Sequence, residues 1–141
     1  MTTENAIKKL VNFAITDKTT INKFVSLGIV TTEESVLLKA KTGFNLQGYE
    51  RIIDKSAINH VLKIHGNEKK EKLRGQIAVT EIDFEKIPEI LQSKNVIFTG
   101  KNKQGQNCLL YQAKIGNTYF YVEEIRTGRK HLALQTLYKR K

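Results

Sequence analysis

The sequence predicts an α+β domain, with a helical N-terminal part packed on a C-terminal antiparallel β-sheet. Three observations carry this expectation. Apolar residues in the first third recur at helical spacing, the period shifts from 3.6 to 2 after Ser93, and short turn-rich links join the later segments. At 141 residues the chain can bury one core and is too short for two full domains.

The helical third opens with "ENAIKKLVNFAIT", where Ile7, Leu10, Val11 and Ala14 form one apolar face. A second short segment, "TINKFVSLG", is read with it and ends at Gly28. The third begins at "TTEES", where Thr31 and Glu34 have capping-box spacing, and stops at Gly43, a left-handed C-cap. "FNLQGYERI" reads as a loop or short extended piece. In "SAINHVLKIHG", Ser56 or Asp54 caps a helix whose stripe is Ile58, Val61 and Leu62, with Gly66 ending it. "NEKKEKLRG" is a solvated charged turn or a helix extension, and "QIAVT" alternates like a strand. "TEIDFEKIPEILQS" is helical, capped by Thr80 and Asp83, with Pro88 forcing a restart. "NVIFTG", "NCLLYQAKI", "TYFYVEEIR" and "HLALQTLYK" then form a meander of four or five strands, one face covered by helices and the other open for binding.

Composition narrows the function classes. No run of about 18 apolar residues exists, and "MTTENAIKKL" is not a secretory signal, so a cytoplasmic setting without membrane contact is expected. Cys108 is the only cysteine, which rules out a disulfide within the chain. The net charge of +10 is unevenly placed: residues 1–50 hold 6 basic against 5 acidic side chains, residues 51–141 hold 18 against 9. From Ser93 onward 10 basic side chains face only Glu123 and Glu124. That concentration points to a polyanion, with nucleic acid the first choice over a merely solubilising surface.

His60 and His65 stand five residues apart, about 140° around a helix, so they cannot grip one metal ion from one face. No CxxC or HExxH accompanies them, and no metal or other cofactor is expected. His65 continues the apolar stripe and suits the helix C-terminus, whereas His60 points away from it. Metal-free RNA cleavage needs proton-transfer groups and donors for phosphate charge. Strand residues Glu124, Arg126, Thr136, Tyr138 and Lys139 could partner the histidines, although strand packing and ion pairing explain the same residues. Which face of the last strand is wet stays open: Leu132 and Leu134 favour burying one face, Ala133 and Leu137 permit the other. "GKNKQGQ" lacks the spacing of a nucleotide phosphate loop, and no Gly-x-Ser-x-Gly elbow is present.

Three segments in order, "TGFNLQGYERIIDKSAINHVLKIHG", "RGQIAVTEIDFEKIPEIL" and "LLYQAKIGNTYFYVEEIRTGRKHLALQTLYK", resemble the phage-encoded nuclease domains of the barnase–EndoU–colicin–RelE superfamily. The resemblance covers residues 42–140, which divides the chain into a helical extension, 1–41, and a nuclease-like core, 42–141, within one domain. It implies a barnase/RelE-like fold and a metal-independent endoribonuclease, often a toxin, that forms a 2′,3′-cyclic phosphate. The alternative is a non-catalytic RNA-binding or phage structural module. Residue by residue it points to His60 and His65 and to Thr136 with Tyr138 or Lys139, with the "EEIR" strand in support; joined to the charge pattern, this makes His60, His65, Thr136, Arg126 and Tyr138 the catalytic candidates and Lys139, Glu124, Arg129 and Lys130 the expected substrate contacts. RNA, and an immunity or antitoxin protein, are the partners it implies, in a bacterial cytoplasm or delivered with a phage particle.

Overall fold

In the computed structural model, which describes residues 3–141, the chain forms helices α1 (Thr3–Thr16), α2 (Thr32–Thr42), α3 (Lys55–His65), α4 (Glu68–Leu73) and α5 (Ile87–Leu91). A 3-10 helix, Glu81–Lys86, runs into α5. The strands are β1 (Phe24–Ile29), β2 (Glu50–Asp54), β3 (Val96–Lys101), β4 (Asn107–Ile115), β5 (Asn117–Arg126) and β6 (His131–Arg140). They make one sheet in the order β1-β2-β6-β5-β4-β3, antiparallel throughout except where β2 runs parallel to β6. The α+β class holds.

Local chemistry explains most elements. Ile7, Leu10, Val11 and Ala14 are the buried face of α1. Thr31 caps α2 by accepting from the Glu34 amide, and Gly43 ends it at φ 85°, a left-handed value that a side chain would strain. Asp54, not Ser56, caps α3, its carboxylate taking the Ala57 amide at 2.8 Å. Thr80 and Asp83 form the capping box of the 3-10 helix. Gly116, at φ 79°, turns β4 directly into β5.

Other segments differ from expectation for identifiable reasons. "TINKFVSLG" is not helical: its partly buried Val25 and Leu27 alternate with exposed neighbours as β1 on the sheet edge. The end of "FNLQGYERI", read as a loop or short extended piece, is extended and runs into β2, whose pairing with β1 and β6 brings the sheet to six strands. "NEKKEKLRG" is helix α4, and its Glu71 is completely buried. "QIAVT" makes only a single bridge, Ile77 to Lys139.

The helices cover one face of the sheet. Leu109 and Tyr111 of β4, Tyr119, Tyr121 and Ile125 of β5, and Leu132, Leu134 and Leu137 of β6 meet Leu10 of α1, Leu38 of α2, Ile58 and Val61 of α3, and Phe84, Ile87 and Ile90. Strand alternation sends Thr118, Phe120, Val122, Glu124 and Arg126 to the other face. One irregularity matters. Val122 pairs with Thr136 and Glu123 pairs with Leu134, so Gln135 is an extra residue, a β-bulge in β6.

Two buried ionic networks sit under the helices. Arg51 of β2 reaches past β6 to Glu123 of β5, Nε to Oε1 at 2.9 Å, and also meets Glu34 of α2 and the Tyr111 hydroxyl. Tyr111 in turn donates to Glu123 at 2.6 Å. The second network joins Lys139 of β6 to Asp83, Nζ to Oδ2 at 2.9 Å, with the Tyr119 hydroxyl donating to Asp83 at 2.6 Å.

Burial works against the Asp83 charge, but the Thr80 amide, Tyr119 and Lys139 together hold its carboxyl below the ordinary 3.8. Folding therefore favours the ionised form. The stabilisation is complete above pH 3.8 and is lost as pH falls below that value through the lower folded-state pKa. Asp83→Asn should cost about 3–5 kcal/mol at neutral pH, because it leaves the Lys139 ammonium buried without a countercharge. Urea unfolding should show the gap from wild type narrowing below pH 3.8. An unchanged gap there would mean that the ion pair is not what stabilises this corner.

Candidate functional site

On the sheet face away from the main helical layer lies a polar cleft of about 810 Å³. Its floor is Glu124 and Arg126 of β5 with Leu134 and Gln135 of β6. One wall is the first half of α3, with Ser56, Ala57 and His60; the other is the β3–β4 loop from Lys101 to Gln106. A shallower depression of about 390 Å³ adjoins it, shares Gln106 and Arg126, and reaches Arg129 in the β5–β6 turn. The two make one groove edged by Lys101, Lys103, Arg126 and Arg129.

Each polar group has a structural reason for its position. The Asp54 cap fixes the start of α3, and the Ser56 amide donates to Asn22. The stripe of Ala57, Ile58 and Val61 is buried, so helical geometry turns His60 outward into the cleft. Arg126 donates from Nε to Glu124 at 3.0 Å, and its Nη2 lies 3.7 Å from Asp54. The guanidinium has five N–H groups, so these two neighbours leave donors for an incoming anion. The β3–β4 loop closes on itself through backbone bonds between Asn102 and Gln106 and between Gly105 and Asn102. Cys108 is buried next to this loop, where burial first and the Glu124 charge second push its thiol pKa up and keep it protonated.

The residues singled out from sequence separate into groups. His60, Glu124 and Arg126 come together in the cleft, and Arg129 lines its extension. Lys130 follows Arg129 in the turn, exposed, at φ 55°. His65 is mostly enclosed: its Nδ1 lies 3.2 Å from both oxygens of buried Glu71, which also holds Arg74, and its ring stacks on Tyr138 at 5.4 Å. Tyr138 stacks on Phe120 at 4.8 Å, and burial raises its hydroxyl pKa. Thr136 shares that sheet face, with a buried Oγ1 that no group among the described residues bonds. Lys139, proposed as a substrate contact, instead points into the core and is held by Asp83, because the bulge reverses the strand phase before it.

Among the cleft residues that were not anticipated are Lys101, Asn102, Lys103 and Gln135. The dense polar run "GKNKQGQN" signals the first three once a phosphate-contacting turn is sought rather than a nucleotide loop. A concavity of about 950 Å³ between α2 and α5 is lined mainly by apolar groups, and its Arg51 and Glu34 are already bonded to one another. Among the described residues no group of three or more His, Cys, Asp or Glu side chains is arranged to hold a metal ion.

The two histidines should therefore differ in stability measurements. His60→Ala should stay within about 0.5 kcal/mol of wild type, as exposed sites do. His65→Ala should cost about 1–3 kcal/mol, because it strips a partner from the buried Glu71 carboxylate. Equal losses in urea unfolding would contradict this division.

A family model described as "phage-Barnase-EndoU-ColicinE5/D-RelE like nuclease3" matches residues 28–141. No curated protein and no solved structure matches the chain.

Proposed function

We propose, from the premise that this chain belongs to the phage-Barnase-EndoU-ColicinE5/D-RelE-like nuclease family, that it is an endoribonuclease working without a metal ion. The observation carrying this reading is the convergence of His60, Glu124 and Arg126 in one cleft edged by lysines. RNA is the polyanion, and its backbone follows the groove from His60 toward Arg129.

The chemistry needs a base, an acid and a charge stabiliser. Glu124, paired with Arg126, is placed as a proton acceptor and takes the proton from the ribose 2′-hydroxyl. The 2′-oxygen then bonds to phosphorus and the bond from phosphorus to the 5′-oxygen breaks. His60, from the opposite wall, gives its proton to the departing 5′-oxygen; histidine as a residue type holds a transferable proton near neutrality. The products are a 2′,3′-cyclic phosphate and a 5′-hydroxyl. Arg126 donates to the non-bridging phosphate oxygens as charge builds there. His65 braces the C-terminal end of α3 through Glu71 and Tyr138, and acts on the site through position only.

The test is digestion of tRNA and total RNA in EDTA by wild type, His60→Ala, Glu124→Gln and Arg126→Ala, with product ends identified. Wild type should yield 2′,3′-cyclic ends. His60→Ala and Glu124→Gln should each lose about 10²–10⁴ in rate. RNA surviving intact from about pH 5 to pH 9, the range in which histidine changes charge, would sink the nuclease reading. Retention of RNA in a gel-shift assay without cleavage would then favour the binding-module alternative.

A further inference from the structure

A chain of hydrogen bonds fixes which end of the Gln135 amide faces the cleft. Asn102 Oδ1 accepts two backbone amides of its own loop, Gln104 at 3.1 Å and Gln106 at 2.9 Å. That commits the other end of Asn102, Nδ2, to donating, and it reaches Gln135 Oε1 at 3.0 Å and Gln106 Oε1 at 3.4 Å. The Cys108 thiol also lies 3.0 Å from Gln135 Oε1, closer than its other acceptor, the Gln106 carbonyl at 3.6 Å. The carbonyl of Gln135 is thus consumed by two donors. An amide so held presents only its NH2 group elsewhere, and among the described residues no acceptor takes those two N–H groups. Gln135 lines the cleft, on the floor beside Leu134 and across from His60.

We infer that Gln135 is a substrate-binding residue whose Nε2 donates to a non-bridging phosphate oxygen of the bound polynucleotide, and that Asn102 is the positioning residue that aims it. The inference rests on the RNA reading of this cleft and adds a neutral donor beside Arg126. Two features favour a phosphate oxygen over a base. With its carbonyl occupied, Gln135 cannot offer the donor–acceptor pair that reads a base edge. Arg126 and the lysines of the same cleft draw an anion to this spot. Gln135 is also the bulge residue of β6, and bulges re-aim side chains at binding sites.

The probe is a fluorescent oligoribonucleotide with 2′-O-methyl groups, which binds but cannot be cut by 2′-oxygen attack. Gln135→Ala should weaken binding about tenfold or more, the scale of a hydrogen bond to a charged group. The loss should be the same for probes of different sequence. It should leave the slope of log affinity against log salt unchanged, because Gln135 carries no charge, while Lys103→Ala should reduce that slope by about one. Asn102→Asp tests the relay: its oxygen still accepts the loop amides, but it now faces Gln135 with an acceptor and turns the amide around. It should reproduce the Gln135→Ala loss at matched salt, beyond the effect of Gln104→Glu, which places the same charge on the same loop. The Gln135 side-chain NH2 signals in an amide-correlation NMR spectrum should shift on adding the probe.

Several results overturn the inference. Wild-type affinity in Gln135→Ala while wild type binds the probe would overturn it alone, and so would a loss confined to one base. Failure of wild type to bind any probe would remove the RNA reading together with it. Asn102→Asp behaving as Gln104→Glu does would overturn the positioning role.

Discussion

The extra residue in β6 governs the direction of every side chain beyond it. In a regular strand, residues 132, 134, 136 and 138 would share a face. With Gln135 inserted, the register with β5 slips by one, so Leu132 and Leu134 before the bulge and Leu137 and Lys139 after it all face the core. Thr136 and Tyr138 then join Ala133 on the opposite face. Lys139 is delivered to Asp83, which fastens the 3-10 helix to the sheet, and Tyr138 is delivered to His65, which fastens the end of α3. The bulge so directs contacts on both sheet faces, and the residue causing it looks into the cleft.

Charge is divided along the same line. Glu123 is completely buried, spent on Arg51 and Tyr111, and Asp83 and Glu71 are spent on Lys139, Arg74 and His65. Of the acids in the sheet half of the chain, only Glu124 reaches the cleft, one residue and one strand face away from Glu123. Sequestering acids in the interior leaves the lysines and arginines of the groove edge less opposed. A net charge of +10 thereby becomes a local positive field over a particular groove.

The legible and illegible parts of the sequence follow from the range of the interactions involved. The α1 face, the α2 capping box, the restart at Pro88 and the four C-terminal strands depend on neighbours within a few residues, and local pattern reveals them. The outward turn of His60 and the inward turn of His65 follow from helical angle alone. β1 and β2 do not: β1 pairs with β2 across the intervening α2, β2 pairs with β6 about 80 residues away, and no local signal carries those registers. The conflict between Leu132/Leu134 and Ala133/Leu137 was a real signal, since both burial patterns occur in one strand on either side of a bulge. The placement of Lys139 could not be read without that slip. Glu71 in "NEKKEKLRG" looked solvated because a charged run gives no sign of which acid turns inward, although its partners His65 and Arg74 are close in sequence.

The bulge and the β3–β4 loop also account for the partner of the buried Cys108 thiol. A bulge frees the side chain of its extra residue from the regular pleat, so its polar end can be taken by donors outside the strand. At Gln135 two donors arrive, from the Asn102 amide and from Cys108 on β4, so the side chain bridges β6 to the loop that walls the cleft. Serine at 108 would supply a stronger donor with a shorter reach, and alanine would leave Asn102 as the sole anchor. The loop, the bulge and the orientation of the Gln135 amide are therefore one unit. Asn102 and Cys108 stand outside the cluster that packs Leu109, Tyr121 and Leu134, so a change at either acts on the Gln135 amide and the cleft, whereas the bulge itself also sets which β6 side chains face that cluster.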